Sequence, residues 1–385
     1  MKNVHLGFID ALRGYAILAV MAVHASQAAP ALSGVGRLLV DQCAKGVQLF
    51  FVASALTLAM SWHARNDGVI PFYIRRVFRI APMFWLGIVF FVWLDGLGPR
   101  YFAPDGIGAM DIALTAAFMH GWHPETLTSV VPGGWSIAVE MTFYLFFPAL
   151  ILHIRGWRSA AAGFLLSVVL ATAVLAFCWT RRALLWPGLS DDLVSAFLSL
   201  WFPNQMPVFM IGYLVYFAFR DGHGRLPSWL MRTALYGAIA AMAALAILLK
   251  TVNVMGHGLG VFGYTLYGIC FGVFSFCLGE GAGRWLVNGP VRFLGKVSFS
   301  AYLMHFAIIH SRLDVPFVRS FFSEDDANGG MFFLAYFPFL VVVTGLLSYV
   351  TYRFVERPMI ALGNRMVSQY GTWRTNLRAE SLVLK

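Results

Sequence analysis

The sequence is short of charge and of cysteine. Only 12% of its 385 residues are Asp, Glu, Lys or Arg, about half the share found in soluble chains. The four cysteines (Cys43, Cys178, Cys270 and Cys277) form no CxxC pair and lie in or beside apolar stretches. They read as reduced core residues and say little about compartment; it is the sparse charge and high apolar content that exclude a secreted disulfide scaffold. Sparse charge also leaves no compact basic domain, so a net charge of +10 does not announce nucleic acid. Chain signatures for a GxSxG elbow, a Walker loop or a Rossmann glycine pattern after a strand are missing too.

What remains is apolar. Hydrophobic residues make up 59% of the chain and the mean hydropathy is +0.72. A spanning helix needs roughly 20 residues, which leaves room for about ten spans. The apolar runs do not alternate with polar residues, which counts against a β-barrel. An all-α polytopic membrane protein is the expected class. The predicted spans are 10–28, 43–62, 74–94, 135–153, 160–178, 193–219, 231–250, 258–280, 296–312 and 331–354. The first resembles a signal peptide, but Asp10, Arg13 and His24 interrupt it, and it reads as an uncleaved helix.

With the N-terminus inside, twenty of the 28 basic residues fall on the inner side, among them Lys2, Arg225 and six from Arg353 onward. That bias places both termini in the cytoplasm. Residues 107–122 are apolar but too short to span, and are expected to be re-entrant or interfacial on the outer side. The chain divides into a membrane domain over 1–360 and a basic cytoplasmic tail over 361–385.

Ionisable residues inside a bilayer are costly and mark sites. On the first helix, Arg13 and His24 are eleven residues apart, three turns plus about 20°, so they share a face some 16 Å apart. Asp10 lies one turn before Arg13 and can pair with it. A histidine of near-neutral pKa suits proton abstraction from a hydroxyl. Arg75, Arg76 and Arg79 crowd the start of the third span, where guanidinium groups match phosphate oxygens; on these residues alone, ordinary positive-inside anchoring is the favoured reading. Ser136, Glu140 and Tyr144 repeat every four residues on one face of span four, near the outer surface. Ser298, Tyr302 and His305 form a polar stripe on span nine that serves substrate orientation or helix gluing. His120-x-x-His123 with Glu125 lacks a third firm ligand, and no metal is expected.

These blocks, read in order, resemble the acyltransferase-3 family of integral membrane O-acyltransferases. The resemblance rests on Arg13 and His24, the FFVASA stretch at 50–55, and Arg76-Val-Phe-Arg79 followed by Ile80 and Pro82. It continues through Trp135-Ser136 with Glu140, Ser298 to His305, and Phe354-Val-Glu356-Arg357-Pro358. Ala55 departs from the family's usual glycine. The resemblance implies transfer of an acyl group, commonly acetyl, from cytoplasmic acyl-CoA to a hydroxyl of an extracytoplasmic or lipid-linked saccharide. It implies no tightly bound cofactor, with acyl-CoA as donor substrate, a saccharide or glycolipid acceptor, and a bacterial inner membrane as location. Arg75, Arg76 and Arg79 would hold the CoA phosphates, assisted by Arg13. His24 would activate the acceptor or carry the acyl group, with Glu140 orienting it from the outer side. Acceptor choice is expected in loops 95–134 and 313–330. The rival reading is a transporter exporting a small amphiphile or glycan precursor unmodified, although the chain lacks the paired halves such proteins show.

Overall fold

The computed structural model describes residues 7–29, 32–222, 226–253, 260–311 and 329–383. Among these it is a helical bundle without strands. The inner-side residues Lys2 and Arg225, and nearly all of loop 313–330, lie outside the described residues.

Ten helices carry the apolar runs. They are α1 (Gly7–Gln27), α2 (Gly46–Arg65), α3 (Val69–Asp95), α4 (Gly134–His153) and α5 (Trp157–Thr180). After these come α6 (Phe202–Asp221), α7 (Ser228–Asn253), α8 (Gly260–Gly279), α9 (Ser298–Ser311) and α10 (Gly329–Thr351). Nine helical stretches among the described residues are long and apolar enough to cross a membrane. The exception is α9, whose 14 residues rise only about 21 Å, against a hydrocarbon core of about 30 Å. Its residues Ser298, Ser300, Tyr302 and His305 are all buried, so α9 is a polar-striped core helix surrounded by the others.

Burial separates lipid-facing from core helices. On α5, Leu165, Leu166, Val169 and Leu170 are exposed, and on α10 so are Val342 and Leu346. Contiguous apolar exposure on this scale suits hydrocarbon, not water. α1 instead buries most of its length against neighbours.

Association without a hydrophobic driving force depends on small residues and polar glue. At Gly295 a Cβ would lie 1.7 Å from the Asp10 carbonyl oxygen, and at Gly212 it would lie 2.4 Å from that of Val52. These contacts set the approach of the Gly289–Lys296 helix to α1 and of α6 to α2. Polar glue comes from Gln48, whose buried amide donates to Gln205 Oε1 at 2.9 Å. A second instance follows a π turn over Tyr352–Glu356, a distortion that re-aims side chains. Glu356 there is buried and accepts from Ser300 N at 2.9 Å and from the Ser300 hydroxyl. Beyond it, α11 (Arg357–Val383) continues unbroken across residue 361, and Gly363 packs on Phe78 of α3.

Residues 107–122 do not span. They hold an eight-residue helix, Ala109–Ala116, a reversal at Phe118 with φ +61°, and a 3₁₀ turn at His120–Trp122. Trp85 Nε1 donates to the Ala116 carbonyl at 2.9 Å and ties the segment to α3.

Overpacking a tight contact costs about 1–3 kcal/mol. Gly212→Ala is expected to lower the thermal unfolding temperature of the detergent-solubilised protein by several degrees. Gly237→Ala, with nothing within 4 Å of the new Cβ, should leave it unchanged.

Candidate active site

Two cavities occupy the bundle interior, and most of the polar residues singled out from sequence line one or the other. The first, of about 70 Å³, is lined by Arg13, Arg76, Arg79, Ser54, Ser136, Glu140, Tyr144, Ser298 and Tyr302, among others. The second, of about 420 Å³, is lined by His24, Lys45, Gln48, Arg100, Tyr302 and Phe306, among others. Val47 and Tyr302 belong to both linings, so these two side chains form the partition.

The first cavity is basic. Arg13 reaches it from α1, and its Nη2 donates to Thr57 Oγ1 at 3.3 Å. Arg76 lies 5.9 Å from the ring centres of both Phe72 and Tyr144, a cation–π geometry at its outer limit. Opposite them, Glu140 accepts from Ser54 Oγ at 2.6 Å and from Tyr144 OH at 2.5 Å, both on Oε1. Three guanidinium groups thus face one carboxylate, and the surplus positive charge in a low-dielectric pocket favours an anionic ligand.

The partition is fixed by hydrogen bonds. Tyr302 OH donates to the Gly133 carbonyl at 2.9 Å, and Ser136 Oγ donates to Tyr302 OH at 2.9 Å. Gly133 adopts φ +70°, where a glycine is at ease. A Cβ there would also lie 2.7 Å from the Tyr302 hydroxyl. The Pro-Gly-Gly before α4 is therefore needed for close approach.

On the other side of the partition, His24 Nδ1 lies 3.3 Å from Gln27 Oε1. With Gln27 accepting from Nδ1–H, the lone pair falls on Nε2. The His24 ring sits 4.6 Å from Phe306 and 5.3 Å from His305, centre to centre. His305 is wholly buried, donates from Nδ1 to the Ala301 carbonyl at 3.0 Å, and leaves Nε2 without a partner. It supports His24 from behind and lines neither cavity.

Three expectations change in detail. Arg75 does not join Arg76 and Arg79. Both of its Nη atoms bond Asp67 at 2.7 Å, because a helical side chain leans toward its own N-terminus and Asp67 waits in the loop there. Arg13 turns to Thr57, and among the described residues no ion pair joins it to Asp10. Glu140 does not face His24. Together with Ser136 it lines the first cavity, on the arginine side of the partition.

Sequence reasoning passed over Ser54 and Thr57 in the basic cavity, and Lys45, Gln48, Arg100 and His310 in the other. Ser54 sits inside the FFVASA block and could have been picked from it. Nothing local marks His310, whose Nδ1 meets Asp95 Oδ2 at 2.9 Å across 215 positions. No group of three or more His, Cys, Asp or Glu among the described residues could hold a metal. His123 approaches Glu125 only to 3.9 Å.

With this geometry in view, the chain can be placed among known proteins. It matches the family model of the Acyl_transf_3 acyltransferase domain over residues 6–353, and it belongs to that family. It is an integral membrane acyltransferase. It is 26% identical to acyltransferase MdmB of Streptomyces mycarofaciens over 94% of each chain. It is also 26% identical to the exopolysaccharide production protein ExoZ of Rhizobium meliloti (strain 1021), over 44% of this chain and 54% of that one. A third relative, the regulator of hypoxia-inducible factor 1 of Caenorhabditis elegans, is 21% identical over 87% of this chain and 71% of its own. No solved structure matches.

The loop that delivers Gly133 is braced by His120, whose buried Nε2 donates to the Gly134 carbonyl at 3.0 Å. Burial lowers its pKa from 6.5 to about 4. A histidine held below its unfolded pKa contributes stability above pH 6.5, and that contribution is lost as pH falls toward 4. The wild type is expected to lose thermal stability over that window, by up to about 3 kcal/mol. His120→Gln should flatten the dependence in a pH series of thermal unfolding.

Proposed function

We propose that this protein is an O-acyltransferase that moves an acyl group of acetyl size from cytoplasmic acyl-CoA to a hydroxyl of a saccharide or glycolipid. The observation that carries the reading is the pair of cavities on either side of Tyr302, one rich in arginine and one holding His24. A reaction joining a polyanionic donor to a neutral nucleophile needs those two environments and a place where they meet.

In this reading Arg76 and Arg79, with Arg13, hold the phosphates of CoA, and Arg75 contributes only to the local structure through Asp67. Glu140, held by Ser54 and Tyr144, offsets the mutual repulsion of the guanidinium groups and orients them. The thioester end of the donor reaches the partition. Its passage requires the Tyr302 hydroxyl to leave the Gly133 carbonyl. His24 Nε2 then takes the proton of the acceptor hydroxyl as the oxygen attacks the thioester carbonyl. The C–O bond forms, the C–S bond breaks, and the CoA thiolate departs and is protonated. The buried Phe306 and His305 behind His24 restrict its ring orientation.

A saccharide acceptor is supported by the name of ExoZ, an exopolysaccharide production protein, and by the aromatic rings around the second cavity. Both termini in the cytoplasm are supported by the positive-inside bias; the cytoplasmic donor and the bacterial inner membrane rest on the family resemblance.

The test uses membrane vesicles containing wild type, His24→Ala or Arg76→Gln, supplied with acetyl-CoA labelled in the acetyl group. Label should enter alkali-labile ester in wild type and fall about 10²–10⁴-fold in His24→Ala, the usual contribution of general base catalysis. Arg76→Gln should raise the apparent KM for acetyl-CoA with a smaller effect on kcat. Unchanged incorporation by His24→Ala would sink the mechanism. A transporter has no use for CoA, so the absence of any CoA-induced rise in unfolding temperature would favour the export reading.

A further inference from the structure

The second cavity carries positive charge that the transfer reaction, as proposed, does not use. Among the described residues its lining contains Lys45 and Arg100 and no aspartate or glutamate. The Lys45 ammonium lies 4.7 Å from the centre of the Tyr264 ring, and among the described residues it makes no ion pair. Arg100 is held only by backbone carbonyls: Nη1 donates to Ser129 at 3.2 Å, and Nη2 to Gly96 at 2.6 Å and Asp95 at 3.3 Å.

Carbonyls satisfy N–H donors but do not cancel a charge. Asp95 offers Arg100 its backbone carbonyl, while its carboxylate is engaged by His310 at 2.9 and 3.0 Å. Two permanent cations in an otherwise largely apolar cavity are expensive unless an anion joins them. The partition at Tyr302 keeps Glu140 and the arginines of the first cavity out of reach. An anionic ligand would supply the countercharge that the described lining lacks.

We infer that the second cavity takes an acceptor bearing an anionic group, a carboxylate or a phosphate, which Lys45 and Arg100 receive while its hydroxyl is presented to His24. Trp135, Tyr101 and Phe102 supply apolar faces for the ring or chain between the two ends. This rests on the reading of the His24 cavity as the acceptor side. The carboxylate would belong to a sugar acid and the phosphate to a lipid-linked carrier.

The experiment uses the full chain in phosphatidylcholine nanodiscs and three probes with the same alkyl tail: octyl glucuronide, octyl phosphate and octyl glucoside. Coenzyme A serves as a fourth probe for the basic cavity. Binding of at least one anionic probe is expected to be tenfold or more tighter than that of octyl glucoside. Preference for the glucuronide assigns a sugar acid, and preference for the phosphate assigns a lipid phosphate. The preference should vanish in Lys45→Gln, persist in Lys45→Arg and be unaffected by Arg76→Gln, which weakens only CoA binding. Raising NaCl from about 50 to 500 mM should weaken the anionic probes and spare the glucoside; this readout needs no variant and stands even if Lys45→Gln does not fold. Equal affinity for charged and neutral probes would overturn the proposal, as would displacement of the octyl anions by CoA. If the anions bind as expected but CoA does not bind at all, the acyl-CoA reading falls and the anion site stands.

Discussion

Burying cationic charge inside an apolar bundle is the constraint on which the rest of this structure depends. Arg13, Arg76 and Arg79 sit together in a cavity with a single carboxylate, Glu140, for company. In hydrocarbon such a group is tolerated only if it is hydrogen-bonded and surrounded by protein. The bundle meets that condition by packing α1, α2, α3 and α4 around it. Thr57, Ser54 and Tyr144 supply the polar partners. Positive charge in excess of Glu140 remains in the cavity.

A second consequence is the need for separation. If the arginines and His24 shared one open chamber, a bound anion would draw the guanidinium groups toward the histidine and leave no defined path for a neutral nucleophile. The Tyr302 hydroxyl, fastened to Gly133 and Ser136, divides the interior instead. That fastening depends on α9 being buried, which in turn depends on the Glu356 carboxylate that receives Ser300 after the π turn. The closing FVERP block thus acts far from its own helix end. It positions the helix that carries both the partition and the residue behind His24.

Membrane bundles lack a solvent-driven collapse, so close contacts of glycine with backbone take its place. Gly295 against Asp10 and Gly212 against Val52 are such contacts. They bring the Gly289–Lys296 helix against α1 and α6 against α2. The lipid-facing helices α5 and α10 contribute little to the site and much to the boundary.

The sequence by itself determined the class and the approximate spans, and it picked out many of the residues that line the two cavities. Long apolar runs can satisfy their backbone in lipid only as helices, and charged residues inside those runs are too costly to be incidental. Periodicity also placed Ser136, Glu140 and Tyr144 on one face. It could not say which cavity that face meets: all three residues line the arginine-rich one, because the helices packed against α4 decide it. Nor could local spacing separate Arg75 from Arg76 and Arg79, since the choice turns on Asp67 in the preceding loop. His310 with Asp95, Gln48 with Gln205 and Ser300 with Glu356 join residues from distant parts of the chain. Only the tertiary packing decides such pairs, because the energy that fixes them arises where two helices touch and leaves no period in either one.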